Sequence, residues 1–243
     1  MSQFPGSFGQ SQPRPLDYEQ RMDAGVLVRF FNSVYAWMAA GLGVTAVVAW
    51  WVSTQPQLLH DVLRGPVLFV LIIAELALVW TVAGAVRRIN ATVATVLFLI
   101  YAGLNGLTLS VIFLVYAKAM IASAFVVTAA MFGAMSLYGF VTRRDLTALG
   151  SLLFMGLIGI IIASIVSIFW HPTILTVLIN YIGAFIFIGL TAYDTQKLKW
   201  IALQTRNDAA LAARLSISGA LALYLDFINL FLFLLRIMSD RRQ

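Results

Sequence analysis

Seven long apolar segments dominate this sequence, and each is long enough to cross a lipid bilayer as a helix. A membrane span needs about 20 mostly apolar residues. Because a backbone in lipid must satisfy its own hydrogen bonds, runs of this length fold as α-helices. The predicted spans are 30–52, 66–86, 91–116, 119–141, 146–170, 172–196 and 216–235. The sequence therefore predicts an all-α polytopic membrane protein with seven transmembrane helices.

The composition supports this class and excludes others. Hydrophobic residues make up 61% of the chain and charged residues 11%, far from the values of soluble domains. The net charge of +6 does not indicate nucleic-acid binding, because the basic residues lie between the apolar segments, where they mark membrane topology. The chain has no cysteine, so disulfides, thiolate metal sites and cysteine nucleophiles are excluded.

The predicted organisation is one membrane domain with two polar ends. Residues 1–29 form a tail rich in Gln, Pro and Ser, which we expect to be disordered and cytoplasmic because it buries little apolar area. We find no signal peptide in it. Residues 30–237 form the seven-helix domain, and residues 238–243 form a short basic tail.

The distribution of basic residues predicts the orientation. With seven spans, eleven of the sixteen Lys and Arg fall on the side of the N-terminus. The positive-inside rule therefore places the N-terminus in the cytoplasm. The basic C-terminus argues the other way and would suit a re-entrant last segment. However, that segment has no Pro or Gly near its middle, so we predict that it crosses. The five residues on the other side are Arg64, Lys118, Arg236, Arg241 and Arg242.

Three ionisable residues lie within predicted spans, and such residues are functional candidates because a charge in lipid is costly. Glu75 lies mid-span in LIIAELALVW. A lone Glu there can stay protonated or bond a neighbouring helix, so Glu75 is interpreted as polar support. Asp226 lies well inside the seventh span, with Tyr224 and Asn229 nearby, and it needs a partner or a proton. The third, Asp194, lies near the end of the sixth span.

Asp194 has two interpretations. It follows Tyr193 and precedes Lys197 by one helical turn, so it could be a rim carboxylate paired with that lysine. Alternatively it meets Asp226, since the two residues lie on consecutive antiparallel helices. Two carboxylates in a low-dielectric site disfavour double ionisation and titrate as a coupled pair. Such a pair could sense protons, and its ionised form offers oxygen ligands for calcium.

An arginine could balance the charge of such a pair. Arg87 and Arg88 lie at the end of the second span, at the same membrane level as Asp194. Either could therefore act as a latch on the carboxylates. Both could equally be simple topology markers.

Three segments resemble the Bax inhibitor-1 family, also called the transmembrane Bax inhibitor motif family. They are FIGLTAYDTQKLK (187–199), ALALYLDFINLFLFLLRI (220–237) and FGAMSLYGFVTRRDL (132–146). The resemblance extends over the whole chain after the polar tail and is strongest to bacterial inner-membrane members. It implies a central last helix surrounded by the other six, and a pH-sensitive calcium leak. The family's paired aspartates correspond to Asp194 and Asp226.

The resemblance leaves two points open. The family's latch arginine has no unambiguous counterpart here, with Arg87 the first choice and Arg88 the second. The polar stretch between the last two spans, including 205–214, is also longer than expected, so gating at this loop could differ.

The leading functional hypothesis is a proton-gated cation leak, without any cofactor, whose ions are calcium or protons. An alternative is an interaction protein that modulates a membrane protease or another complex through its N-terminal tail and residues 197–214. An intramembrane aspartyl protease is disfavoured, because Asp226 lacks a flanking glycine. Zinc hydrolysis is disfavoured because the two histidines, His60 and His171, lie in separate loops. We therefore do not expect an enzyme.

Overall fold

The computed structural model describes residues 15–85, 89–170 and 173–240, and these ranges contain nine helices and no strand. Short connections join them, and apolar sequence continues through most of each helix. The helices are α1 (Pro15–Ser53), α2 (Pro56–Leu63), α3 (Gly65–Ala85), α4 (Ala91–Leu109), α5 (Ile112–Val115), α6 (Lys118–Val141), α7 (Thr147–Trp170), α8 (Thr173–Gln204) and α9 (Ala209–Asp240).

Seven segments are long and apolar enough to cross a membrane, which confirms the predicted number of spans. They are α1, α3, α4 together with α5, α6, α7, α8 and α9. Helix α9 is continuous from Ala209 to Asp240, so the last segment crosses rather than turning back. Short α2 lies between the first two spans. Large apolar side chains such as Trp80, Phe169 and Ile174 are exposed on the bundle, as expected for surfaces that face lipid.

Consecutive spans run in opposite directions, which defines two sides of the bundle. We call the side with residues 142–146 and 205–208 the first side. The ammonium of Lys199 donates to the Phe140 carbonyl oxygen at 2.9 Å, and the Arg206 guanidinium lies 3.3 Å from the Asp23 carboxylate. These contacts hold the ends of α6 and α8 and the beginning of α1 together on the first side. The opposite side, with residues 54–55 and 116–117, is the second side.

Helix α9 lies at the centre of the bundle, as predicted. It packs against α1, α4, α6 and α8, while α7 packs mainly against α8. Tyr224, Leu223, Leu230 and Leu235 of α9 have no exposed surface. Most of the circumference of α9 is therefore buried in the bundle, and the face with Ala222, Leu225 and Asn229 is only partly buried.

Glycines allow the helices around α8 to approach closely. A Cβ atom at Gly139 of α6 would overlap the backbone of Ala192 in α8. Between α7 and α8, the Tyr193 ring occupies the space above Gly150, and Leu153 occupies the space above Gly189. Helices in lipid associate largely through such small-residue contacts. The segment around Asp194 is thus fixed on two sides.

Two predicted ends differ from the structure. Helix α1 begins at Pro15, so the predicted disorder of the tail does not extend to residues 15–29. Extending a formed helix costs less than nucleating one, and the sequence LDYEQRM contains good helix formers. At the other end, α9 continues to Asp240, into the predicted C-terminal tail. Residues 1–14 and 241–243 lie outside the described residues.

The predicted long polar loop between the last two spans is also wrong. Helix α8 extends to Gln204 and α9 begins at Ala209, so the connection is residues 205–208. The Asp208 carboxylate accepts a hydrogen bond from the Leu211 N–H at 2.9 Å, which caps the start of α9. The alanines that follow favour the helix.

The third predicted span is interrupted. Helix α4 ends at Leu109 and α5 begins at Ile112. At this point the Ser110 hydroxyl donates to the Leu107 carbonyl oxygen at 2.6 Å, and the Ser110 N–H is shared between the carbonyls of Gly106 and Leu107. A hydroxyl that bonds its own helix backbone competes with the helical ladder. The break predicted at His171 and Pro172 lies outside the described residues.

Candidate functional site: an aspartate pair in a membrane-embedded cavity

The packing of α8 on α9 fixes the relative depth of the two aspartates. Leu198 packs over Gly219, and the Phe233 ring packs over Gly183. This antiparallel register places Asp226 opposite residue 190 and Asp194 opposite residue 222. With a rise of about 1.5 Å per residue, Asp226 lies about 5 Å deeper from the first side than Asp194.

The two side chains point toward each other. A Cα–Cβ bond in a helix tilts toward the N-terminus of that helix. Helix α8 starts on the second side and α9 on the first. The Asp194 side chain therefore tilts toward the second side, and the Asp226 side chain tilts toward the first side. Their carboxyl groups are close enough to repel each other electrostatically. The structure thus brings together the two residues that the sequence singled out.

Both aspartates line one cavity of about 610 Å³ between α7, α8 and α9. Seven of its fourteen lining residues are polar or charged, the two aspartates among them, and the other seven are glycine or apolar residues. Space of this size admits a hydrated ion. The lining residues are Thr147, Gly150, Ser151, Phe154, Leu157, Phe187, Leu190, Tyr193, Asp194, Lys197, Ala222, Leu225, Asp226 and Asn229.

Asp226 is the deep, unsatisfied member of the pair. Its residue is 4% exposed, and its Oδ2 atom has no hydrogen-bond partner within the part of the chain that the structure describes. Burying an unpaired carboxylate is costly. A proton or a cation in the cavity would supply the missing interaction.

Asp194 is half-buried, and the positive charge of Lys197 attracts its carboxylate. In the described residues no ion pair within 4.0 Å joins them, and the Lys197 ammonium lies 5.9 Å from the centre of the Tyr193 ring. Asp194 therefore combines the two alternatives of the sequence analysis. It feels the lysine one turn away and also faces Asp226.

The other predicted site residues divide between two places. Tyr193 and Asn229 line the cavity, and the Asn229 amide donates to the Leu225 carbonyl oxygen at 2.8 Å. Tyr224 lies two residues before Asp226, which is about 200° around the helix, so it faces away from the cavity. Arg87 and Arg88 lie outside the described residues, and their predicted latch role stays a prediction.

Glu75 and Tyr224 belong to a second polar network on the opposite face of α9. Thr108 donates to the Glu75 carboxylate at 2.6 Å. The Tyr224 hydroxyl donates to the Asn105 side-chain oxygen at 3.2 Å and lies 2.6 Å from the Thr45 hydroxyl. Glu75 thus bonds a neighbouring helix, which is one of the two alternatives given for it in the sequence analysis. The network links α3, α4, α9 and α1.

Sequence reasoning missed the residues that hold the motif around Asp194 in place. The Gln196 side chain accepts from the Leu146 N–H and donates to the Arg144 carbonyl oxygen, both at 2.8 Å. Lys199 caps the end of α6 at Phe140. Their signal was the polar sequence after Asp194, which the sequence analysis used for the family resemblance and for topology but not for contacts with α6 and α7.

A chain of hydroxyl groups lies behind Asp194. The Tyr35 hydroxyl bonds the Ser136 hydroxyl, which lies 3.0 Å from the Thr195 hydroxyl. Thr195 in turn donates to the Thr191 carbonyl oxygen at 2.8 Å. These bonds tie α1 and α6 to the residue next to Asp194, so they fix the orientation of this part of α8.

The described residues contain no group of three or more His, Cys, Asp or Glu side chains that could hold a metal. Two carboxylates remain, with the oxygens of Asn229, Ser151 and Thr147 on the same cavity. Calcium takes six to eight oxygen ligands in proteins. Water would therefore have to complete the shell of any calcium ion at this place.

Comparison with known proteins identifies the family of this chain. A family model described as Inhibitor of apoptosis-promoting Bax1 matches residues 27–243. The chain belongs to the Bax inhibitor-1 family. This confirms the resemblance carried by the segments around Asp194 and Asp226, and the match begins within α1 and includes all of the remaining spans.

Several bacterial proteins match most of this chain. It is 48% identical to the inner membrane protein YbhL of Escherichia coli K12 over 244 residues, which is 100% of each chain. It is 45% identical to a protein of Deinococcus radiodurans, over 87% of this chain and 90% of that one. It is 37% identical to a membrane protein of Streptococcus pyogenes serotype M3, over 88% and 93% respectively.

Proposed function

We propose that this protein is a pH-sensitive cation leak, with calcium as the transported ion and the Asp194 and Asp226 pair as its gate. One observation carries the proposal: two carboxyl groups share a 610 Å³ cavity, and one buried oxygen of Asp226 has no partner in the described structure. An apolar membrane domain gains nothing in stability from such an arrangement. A site that exchanges protons and cations needs a carboxyl oxygen that faces a cavity and has no protein partner.

The ligands support transient rather than permanent binding. Conduction requires a site that is favourable enough to enter and weak enough to leave. The ionised pair would attract a divalent cation, while the few neutral oxygens around it would leave several positions to water. A cation would therefore be drawn into the cavity and released again.

Protons would close the site by removing its charge. With both carboxyls ionised, the pair attracts a cation, and with one or both protonated this attraction falls. Arg87 or Arg88, the latch candidates of the sequence analysis, could also neutralise the pair. Only a group whose protonation differs between two states can drive the equilibrium between them. We therefore expect the leak to increase from about pH 6 to about pH 8.

We place the protein in the bacterial inner membrane with its N-terminus in the cytoplasm. The E. coli relative carries the description inner membrane protein, and the excess of Lys and Arg on the N-terminal side supports this orientation. The first side is then cytoplasmic. Asp194 would lie nearer the cytoplasm than Asp226, with Lys197 at the cytoplasmic end of the cavity.

The test is calcium-dye flux into proteoliposomes from about pH 6 to about pH 8, in wild type and Asp226→Asn. The amide keeps the shape of the side chain but cannot ionise, so we expect the pH response to disappear. Asp208→Asn is the matched control, because Asp208 caps α9 outside the cavity and Asn caps a helix equally well. Indistinguishable flux and pH response in wild type and Asp226→Asn would refute the gate.

A second candidate function is interaction with a membrane protease or another membrane complex. A crevice of about 340 Å³ on the first side favours it, because it joins the beginning of α1 to the end of α8 and the start of α9, including Arg29 and Arg206. Cross-linking in native membranes followed by truncation of residues 1–14 would test this function. If the truncation removes the cross-linked partner and leaves calcium flux intact, the interaction is separate from the leak. If no protein is cross-linked to the wild type, the interaction function is refuted.

A further inference from the structure

Glu75 occupies the middle of α3, on the opposite side of α9 from the aspartate cavity. Its carboxylate accepts a hydrogen bond from Thr108 of α4 at 2.6 Å, and the Asn105 amide also interacts with it. Asn105 bonds Tyr224, which faces away from Asp226. The environment of Glu75 is therefore structurally separate from the site of the proposed leak.

The contacts of Thr108 satisfy Glu75 in both of its protonation states. When Glu75 is ionised, the Thr108 hydroxyl donates to it. When Glu75 is protonated, its own O–H can donate to the Thr108 oxygen, because the Thr108 hydroxyl has a second acceptor in the Leu104 carbonyl oxygen at 3.4 Å. Only a rotation of the hydroxyl separates the two arrangements. No helix has to move when the proton binds or leaves.

We propose that Glu75 is a second proton-binding site, a carboxylic acid that exchanges its proton inside the membrane independently of Asp194 and Asp226. We infer that the proton is its ligand, since Thr108 and Asn105 already bond the carboxyl and Glu75 lines none of the cavities described above. This site adds a titratable group to the bundle beyond the aspartate pair.

The neighbours of Glu75 leave its charge unbalanced. Helix α4 presents Tyr101 to it and α9 presents Tyr224, and phenols are uncharged near neutral pH. Asp61 of α2 pairs with Arg64, just beyond the end of that helix, and His60 lies 3.9 Å from Asp61, all on the exposed second side. Within the described residues, no Lys, Arg or His pairs with Glu75, so a proton is the available counter-charge.

Lipid-soluble reagents can approach this carboxyl. Its neighbours Ile72, Ile73 and Leu76 are 42%, 50% and 52% exposed on the lipid-facing surface of α3, and Glu75 itself is partly exposed. Asp226, by contrast, is buried. A small apolar reagent dissolved in the bilayer should therefore reach Glu75 more readily.

The experiment uses dicyclohexylcarbodiimide on the full chain in phosphatidylcholine vesicles. A protonated carboxyl adds across one C=N bond of the reagent, with its proton transferred to nitrogen, and the adduct rearranges to a stable N-acylurea without loss of any group. Peptide mass spectrometry measures the labelled fraction of Glu75 between about pH 5 and about pH 9. We expect labelling to fall as pH rises, and Glu75→Gln to lose it.

Thr108→Val tests the role of the hydroxyl. It removes a donor that favours the ionised carboxylate more than the neutral acid, so the pH midpoint of labelling should rise by about half to one unit. Thr108→Ser should restore the wild-type midpoint. Thr81→Val is the matched control, because the Thr81 hydroxyl bonds the Ala77 carbonyl of its own helix.

Three results would overturn this site: no label on Glu75 in folded wild-type protein, labelling that does not depend on pH, or a midpoint that Thr108→Val leaves unchanged. A thermal unfolding midpoint near that of wild type confirms that each variant is folded. Calcium flux is not part of the readout. Failure of this proposal therefore leaves the proposed leak standing, and failure of the leak leaves this site standing.

Discussion

Asp226 faces Asp194 across one cavity and lies about one helical turn deeper from the first side of the bundle. The register of α8 on α9, fixed where Leu198 packs over Gly219, creates this offset. Because the side chains of antiparallel helices tilt in opposite directions, the offset brings the carboxyl groups together. The site therefore depends on helix packing as much as on its two acidic residues.

Gly139 packs directly against the Ala192 backbone, two residues before Asp194. Gly139→Ala should destabilise the protein by about 1–3 kcal/mol, because a backbone cannot move aside as a side chain can. The measurement is the thermal unfolding midpoint in detergent. Gly133→Ala on the same helix is the control, since nothing lies within 4 Å of its added Cβ. Equal midpoints for the two variants would contradict this packing.

Gln196 holds the connection between α6 and α7 through two hydrogen bonds. Gln196→Leu would leave the buried Leu146 N–H without its partner, at a cost of about 1–3 kcal/mol. Unfolding monitored by circular dichroism should show a lower midpoint, while Gln204→Leu, at an exposed position of the same helix, should stay near wild type. A wild-type midpoint for Gln196→Leu would show that the bonds contribute nothing.

The carboxylate of Asp145 makes the stability of the start of α7 depend on pH. Hydrogen bonds from Thr147 lower the pKa of the Asp145 carboxyl, and its Oδ1 accepts from the Thr147 N–H at 2.8 Å. A lowered folded-state pKa gives stability that is present above the ordinary pKa of about 4 and is lost as pH falls through the folded value.

Asp145→Ala should therefore unfold at a lower temperature than wild type at pH 7, and the difference should shrink as pH falls below about 4. Asp145→Asn keeps a capping oxygen without the charge, so it should remove the pH dependence but not the cap. A difference between Asp145→Ala and wild type that stays constant down to about pH 3 would argue against this role of the carboxylate.

The sequence predicted the number of spans because apolar length alone decides which segments can cross a membrane. It did not predict where α1 begins or that α8 and α9 extend toward each other. Local helix propensity and capping at Asp208 determine those ends, and the hydropathy pattern does not record them. A polar sequence near a membrane boundary, such as 197–204, is compatible with a loop and also with a helix that projects beyond the lipid.

The candidate site was predictable in part. A carboxyl deep in an apolar run, such as Asp226, is conspicuous in any sequence. Its proximity to Asp194 depends on helix register, which follows from glycine contacts between segments distant in the sequence. The separation of Tyr224 from the pair follows from simple helical geometry, whereas its network with Asn105 and Glu75 required knowledge of which helices are neighbours.

The central claim is that Asp194 and Asp226 act as one coupled gate. It is tested most directly by comparing the pH dependence of calcium flux in Asp194→Asn, Asp226→Asn and the double variant. If the residues act as a unit, each single change removes the pH response and the double variant behaves like either single one. Single variants that keep a wild-type response, or effects that add in the double variant, would contradict it.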